Sequence, residues 1–184
     1  MRSFEDFLFK VPLGIISRFK IYLYRILGMN IGFGNRFESG RARRVSNISI
    51  GNLNAFTKGY MLWPLEEKKK EKSIIIGDNN FFNRNLMIDA CSLVEIGNDN
   101  LFGPDIYITD SNHTFGFGIS VKDAGMQRGI VKIGNNCWIG AKAIILKDVN
   151  LGDNCIVAAG SVVTKSFPPH SLIAGVPAKL LVRR

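Results

Sequence analysis

The sequence predicts an all-β chain in which short parallel strands wind into a three-faced β-helix. Three observations carry that expectation. Ile133, Ile139, Ile145, Leu151, Val157 and Val163 recur at strict steps of six. Gly134, Gly140 and Gly152 directly follow three of them, and the small residues Cys137, Ala143, Cys155 and Ser161 stand four places after Ile133, Ile139, Leu151 and Val157. Earlier fragments repeat the register: Ile31 and Phe37; Ile50, Phe56 and Leu62; Ile76, Phe82 and Ile88; Ile96, Phe102 and Ile108. A period of six suits neither a 3.6-residue helix nor a free-standing amphipathic strand. It suits a strand and a turn, repeated, with one apolar side chain per face directed inward. Three faces close a coil of about 18 residues, and coils stack by parallel pairing at about 4.8 Å. Glycine, asparagine and aspartate supply the corner conformations that branched residues resist.

Residues 1–30 read as an N-terminal helical segment. Phe4, Phe7, Leu8, Val11, Ile15, Phe19, Tyr22, Leu23 and Ile26 fall at helical spacing, with Pro12 placed to start a second helix. Two roles fit: a cap over the open end of the coil, or an interfacial anchor with Arg2, Lys10, Arg18, Lys20 and Arg25 facing anionic lipid. Residues 31–168 form the β-helix. From Ile50 to Ile76 the spacing exceeds one coil by eight residues, which places a loop near 65–75 at the charged run Leu65–Lys72. From Ile76 to Ile96 the excess is two. Residues 114–132 carry no hexad signal and are expected to project from the coil, where function tends to concentrate. Residues 169–184, opening after Pro168-Pro169, read as a C-terminal cap.

Composition narrows the function. The 184 residues suffice for one compact domain, and the 19 glycines follow no three-residue period, so collagen is excluded. Three cysteines without close pairs argue against a disulfide framework, and only two histidines, His113 and His170, leave little for a metal cage. No metal is expected. The net charge of +9 calls for an acidic partner: nucleic acid, an anionic membrane face or a phosphate-bearing small molecule. No stretch approaches the ~20 apolar residues of a membrane span, and Glu5 and Asp6 spoil a signal peptide, so the expected compartment is the cytoplasm.

From Ile96-Gly97-Asn98, through His113 and the stretches VKIGNNCWIGAKAIIL (131–146) and LGDNCIVAAGSVVTKSFPP (151–169), to IAGVPAKLL (173–181), the chain resembles the hexapeptide-repeat acyltransferases, particularly the sugar O-acetyltransferases. The resemblance implies a left-handed coil, acetyl-CoA as donor and a homotrimer with one active site in each groove between neighbouring coils. It makes His113 the general base that takes the proton of a sugar hydroxyl as it attacks the thioester. Asn83 and Asn85 match acceptor-site positions, and asparagine is also a common corner residue. Trp138 matches a residue flanking acceptor and donor. Ala141, Ala159, Gly160, Thr164 and Lys165 match the coenzyme groove, with the lysine meeting phosphates as a point charge. An arginine of the family's tail falls here on Val182, with Arg183 and Arg184 adjacent. Cys137 and Cys155 lie one coil apart at an inward position and read as filling, which implies direct transfer without an acyl-enzyme.

The rival readings are a γ-type carbonic anhydrase, a serine acetyltransferase, a non-catalytic scaffold and a nucleic-acid module. The first lacks histidines, the second its large helical N-terminal domain, and the last any aromatic-basic stacking platform. The apolar, basic N-terminus resembles enzymes that decorate surface polysaccharides. The expected acceptor is accordingly a sugar, nucleotide-sugar or lipid-linked saccharide, with peripheral contact at the inner membrane and no nucleic acid.

Overall fold

The structure, a computed structural model, describes residues 4–65, 71–118 and 120–183. Arg2, residues 66–70 of the charged run and Arg184 lie outside the described residues, as do the side chains of Lys10 and the apolar positions Phe4 to Val11.

Short strands line up in three sheets, and the chain visits them in rotation. The first sheet takes Asn30–Ile31, Ile48–Ile50, Ile74–Ile76, Leu93–Ile96, Ile130–Ile133 and Asn150–Leu151, in sequence order. The second takes Arg36–Phe37, Ala55–Phe56, Phe81–Phe82, Leu101–Phe102, Trp138–Ile139 and Ile156–Val157, then Ser171–Gly175 and Ala178–Arg183. The third takes Gly40–Ala42, Tyr60–Pro64, Met87–Ala90, Tyr107–Thr109, Ile144–Ile145 and Val162–Val163. Neighbours from successive turns pair in parallel and in register, for example Ile76 with Ile96 and Ile96 with Ile133. This is a parallel β-helix of three faces.

The hexad side chains fill its interior. Each of those named above is at most 6% exposed. On the second face Phe37, Phe56, Phe82 and Phe102 stack with centroids 4.7, 4.6 and 4.7 Å apart, the repeat of the strands themselves. At one corner a buried asparagine ladder runs up the coil. The side-chain oxygens of Asn35, Asn54, Asn80 and Asn100 accept the backbone N–H of Asn54, Asn80, Asn100 and Cys137, at 2.8, 2.9, 2.9 and 2.7 Å. A turn leaves these amides without a strand partner, and the ladder satisfies them. Cys137 and Cys155 continue the column, both buried, and Cys137 donates to the Gly152 carbonyl at 3.3 Å.

Three expectations change in detail. Phe4–Ile26 is one helix running through Pro12, not two, because a proline here removes a single bond from a 23-residue helix. The projecting segment ends at Gly129, since Ile130–Ile133 pairs with Leu93–Ile96 and Val131 is fully buried. The C-terminal piece is a continuation of the second sheet. Ile173 pairs with Val157 as a further coil residue, and Ala178–Arg183 folds back antiparallel on it.

The helix closes the first coil. Ser17 Oγ accepts the Phe37 N–H at 2.8 Å, the Tyr24 and Tyr60 hydroxyls meet at 3.3 Å, and Arg25 donates to the Ile31 and Gly32 carbonyls at 3.0 and 2.8 Å. The register breaks share one place. The 3-10 turn Val45–Asn47, the insert after Pro64, the step after Ala90 and the long excursion after Thr109 all lie where the chain passes from the third face to the first. That edge is irregular while the other corners repeat.

Candidate functional site

At this irregular edge the fourth coil throws out an antiparallel hairpin, Ser111–His113 against Met126–Arg128. Its root is tied down by Asp110, which is fully buried. The Asp110 carboxylate accepts the N–H groups of Cys91 and Ser92, each at 2.7 Å, and its carbonyl accepts that of Gly129 at 2.7 Å. Thr109 Oγ1 donates to the Ser111 carbonyl and accepts the Ser111 N–H, at 3.2 and 3.3 Å. These bonds set the direction in which Asn112 and His113 leave the coil.

His113 is exposed and borders a cavity of about 600 Å³ with Asp89, Cys91, Tyr107, Ser111 and Met126. Tyr107 Oη donates to Asp89 Oδ2 at 2.9 Å. Burial pushes the Asp89 carboxyl above the usual carboxylate range, against the Tyr107 hydroxyl that holds it down. Burial and then Asp89 push the Tyr107 phenol up. The second Asp89 oxygen and the Ser111 hydroxyl are buried without a hydrogen-bond partner among the described residues. The cavity thus sets an exposed imidazole and an oriented carboxyl against the apolar side chains of Leu65, Met126 and Leu146. Asp89 and Tyr107 escape a reading of the sequence tuned to inward positions. The signal was present: they flank the inward Ile88 and Ile108 on adjacent, paired strands.

A second cavity, of about 510 Å³, lies at the corner between the second and third faces. Trp138, Ala141 and Ala159 line it with Gly103, Pro104 and Leu172. Trp138 is 53% exposed. Asn83 stands one coil before Gly103 in the same corner column, its N–H on the Phe102 carbonyl as that of Gly103 is on Ile139. Asn85 and Gly160 have turn work to do. Both are left-handed, with φ of 60° and 70°, in the column shared with Asp105 and Lys142, and Asn85 Nδ2 donates to Asp105 at 2.8 Å.

Thr164 and Lys165 do not line this second cavity. They follow Val162–Val163 at the opposite end of the third face, on the edge that carries His113. Ile145 pairs with Val163, so Thr164 lies one coil beyond Leu146, which borders the His113 cavity. Lys165 Nζ sits 5.7 Å from the centre of the Phe167 ring. The candidate residues therefore divide between two edges: His113, Thr164 and Lys165 on one, and Asn83, Trp138, Ala141 and Ala159 on another. The width of the third face, on the order of 10 Å, separates them.

The thiols are built into the wall. Cys155 donates to the Pro168 carbonyl at 3.3 Å, as Cys137 does to that of Gly152. Among the described residues, no three His, Cys, Asp or Glu side chains gather where a metal ion could be shared.

Comparison with known proteins adds a lineage. Residues 130–165 match the family model for the bacterial transferase hexapeptide (six repeats). WbbJ of Escherichia coli K12, named as a lipopolysaccharide biosynthesis O-acetyl transferase, is 30% identical over 174 residues, covering 90% of this chain and 77% of that one. The galactoside O-acetyltransferase of the same organism is 37% identical over 109 residues, 59% of this chain and 53% of that one. The chain spans about half the length of several curated relatives it matches. Among solved structures, galactoside acetyltransferase in complex with coenzyme A superposes with a TM-score of 0.66 at 27% identity, covering 89% of this chain and 69% of that chain.

Proposed function

Because the chain belongs to the hexapeptide-repeat transferases, we propose that it is an acetyl-CoA-dependent O-acetyltransferase acting on a sugar hydroxyl in surface-polysaccharide assembly. The observation that carries the reading is the division into two half-sites, one with a base and one with a small-residue groove. A neighbouring copy set beside the first joins them. We take the coil as left-handed and the assembly as a homotrimer, with His113, Thr164 and Lys165 of one subunit facing the Trp138, Ala141 and Ala159 groove of the next.

The groove fits the donor. Its walls are small or apolar, and the amides of Ala141 and Ala159, at turns of successive coils, have no backbone partner among the described residues. They can donate to the amide carbonyls of a pantetheine arm laid along the coil. Trp138 offers it a flat apolar wall. Lys165, on the facing edge, supplies positive charge to the coenzyme's phosphates.

The chemistry follows from the imidazole. A saccharide in the His113 cavity meets the Asp89–Tyr107 pair with its hydroxyls, with Asn83 reaching the reacting centre from the adjoining subunit. Neutral His113 takes the proton of one hydroxyl as its oxygen attacks the thioester carbonyl. Collapse of the tetrahedral adduct breaks the carbon–sulfur bond, and the imidazolium returns the proton to the departing thiolate. Acetyl passes directly to the acceptor. The buried, wall-bonded cysteines are not used, and the scheme calls on no metal ion. Reaction in the cytoplasm gives access to acetyl-CoA and to nucleotide-linked or lipid-linked acceptors.

The test is a panel of sugars, nucleotide-sugars and lipid-linked saccharides incubated with acetyl-CoA and read by mass, with the assembly weighed by light scattering. The expected result is a trimer that adds one acetyl to a saccharide hydroxyl. Acetylation of serine alone, no coenzyme A binding, or turnover by a monomer would overturn it. Lys165→Ala should raise the KM for acetyl-CoA about two- to fivefold with kcat little changed, because an exposed charge contact is present equally in ground and transition states. Initial rates across donor concentration read the split.

A further inference from the structure

The N-terminal helix has a second face. Ser17, Ile21 and Tyr24 turn toward the coil. On the opposite side Ile15, Phe19, Tyr22 and Ile26 are 65%, 68%, 65% and 63% exposed, with Ile16, Leu23 and Leu27 beside them at 52%, 42% and 54%. At 100° per residue these seven side chains form one stripe about 140° wide. No charged residue interrupts it. Arg18 and Arg25 border one side, and Lys20 borders the other. Phe33, 67% exposed, extends the apolar surface across a shallow cavity shared with Arg18, Tyr22 and Arg25. A lid over a coil needs one apolar face; this helix has two.

Charge identifies what meets the outer face. Residues 4–44, the helix and the first coil, hold eight arginine and lysine residues against three acids, Glu5, Asp6 and Glu38. That excess of five accounts for more than half of the chain's +9. Arg18 borders the stripe, and Arg36, Arg41 and Arg43 are exposed on the first coil. A second copy docked here would bring two such basic regions together and suffer their repulsion. An anionic bilayer surface meets both the apolar stripe and its basic border. No helix among the described residues is long and apolar enough to cross a membrane, so the geometry suits lying in the surface rather than spanning it.

We propose that the helix face formed by Ile15, Phe19, Tyr22 and Ile26 docks in the headgroup boundary of an anionic lipid bilayer while the opposite face, with Ser17, Ile21 and Tyr24, keeps the coil closed. Cap and anchor are then two faces of one element, and neither role depends on the catalytic reading.

Flotation of the full chain with vesicles tests this, using phosphatidylcholine with 30% phosphatidylglycerol beside phosphatidylcholine alone. The protein is expected to float with the anionic vesicles and to bind neutral ones about tenfold less. Salt at 0.5 M should release much of it, as the screening length falls below the roughly 8 Å of physiological ionic strength. The double variant Phe19→Ser/Ile26→Ser alters only exposed side chains. It should lower partitioning about tenfold with unchanged thermal midpoint and unchanged mass by light scattering. Arg18→Glu should weaken binding to anionic vesicles only. No flotation with anionic vesicles, or equal flotation of the double variant, would overturn the proposal. A lower assembly mass in the double variant would overturn it too, and assign the face to a second copy.

Discussion

Replacing His113 with alanine is expected to lower acetyl transfer about 10²–10⁴-fold, the usual worth of a positioned base. Coenzyme A affinity should stay within about twofold, since a residue acting on the acceptor proton contributes to the transition state and not to donor binding. The distinction follows from where the side chains lie. His113 stands on the hairpin, whereas Trp138, Ala141 and Ala159 line a cavity on another edge of the coil. Calorimetry with coenzyme A and single-turnover transfer read the two quantities separately. Full kcat in the variant, or an acetylated cysteine appearing before acceptor is added, would exclude direct transfer with His113 as base. Loss of both binding and transfer would mean the hairpin had collapsed, and the thermal midpoint would register that.

The interior of this protein was legible because a β-helix repeats one decision. A side chain at each hexad position either points inward or does not, and the isoleucine-to-phenylalanine alternation of the early coils forms the same columns as the isoleucine and valine of the later ones. Cys137 and Ser161 were readable for the same reason, as small residues at a buried corner. The asparagine ladder was less so. Asn35, Asn54, Asn80 and Asn100 look like surface turn residues in the sequence, and only the coil axis reveals that each satisfies the amide of the next. Pro12 suits the first turn of a new helix, yet a 23-residue helix also holds it at the loss of one hydrogen bond.

The candidate residues were legible one by one but not as an arrangement. His113 announced itself at the end of a regular coil, and Trp138, Ala141 and Ala159 by family likeness. That they sit at different corners is a matter of phase within the coil. Trp138 belongs to a second-face strand, while His113 follows a third-face one. The spacing arithmetic contained this phase, yet matching motifs to roles does not consult it. Asp89 and Tyr107 were hidden more thoroughly. An outward residue leaves no periodic trace, and its importance arises only when the paired strand and the hairpin enclose a cavity around it.

Asp110→Ala is expected to destabilise the fold by about 3–5 kcal/mol and to disable transfer in whatever remains folded. Two charge-assisted hydrogen bonds, each worth about 1.5–3 kcal/mol, would vanish and leave the amides of Cys91 and Ser92 without their acceptor. Chemical denaturation should report the loss as a lower midpoint at unchanged slope. Asp110→Asn keeps the shape and one acceptor oxygen, so about half the loss should return. The functional consequence follows from chain order: His113 is three residues downstream, and the turn at Thr109 and Ser111 transmits the aim of Asp110 to it. Measured well below the midpoint, kcat of the alanine variant should therefore fall at least about tenfold while coenzyme A binding persists. An unchanged midpoint would mean that the corner is held by other contacts. Full kcat in the folded alanine variant would mean that the hairpin finds its direction without this carboxylate. A drop in both stability and kcat, with donor binding intact, would tie the buried charge to the placement of the base.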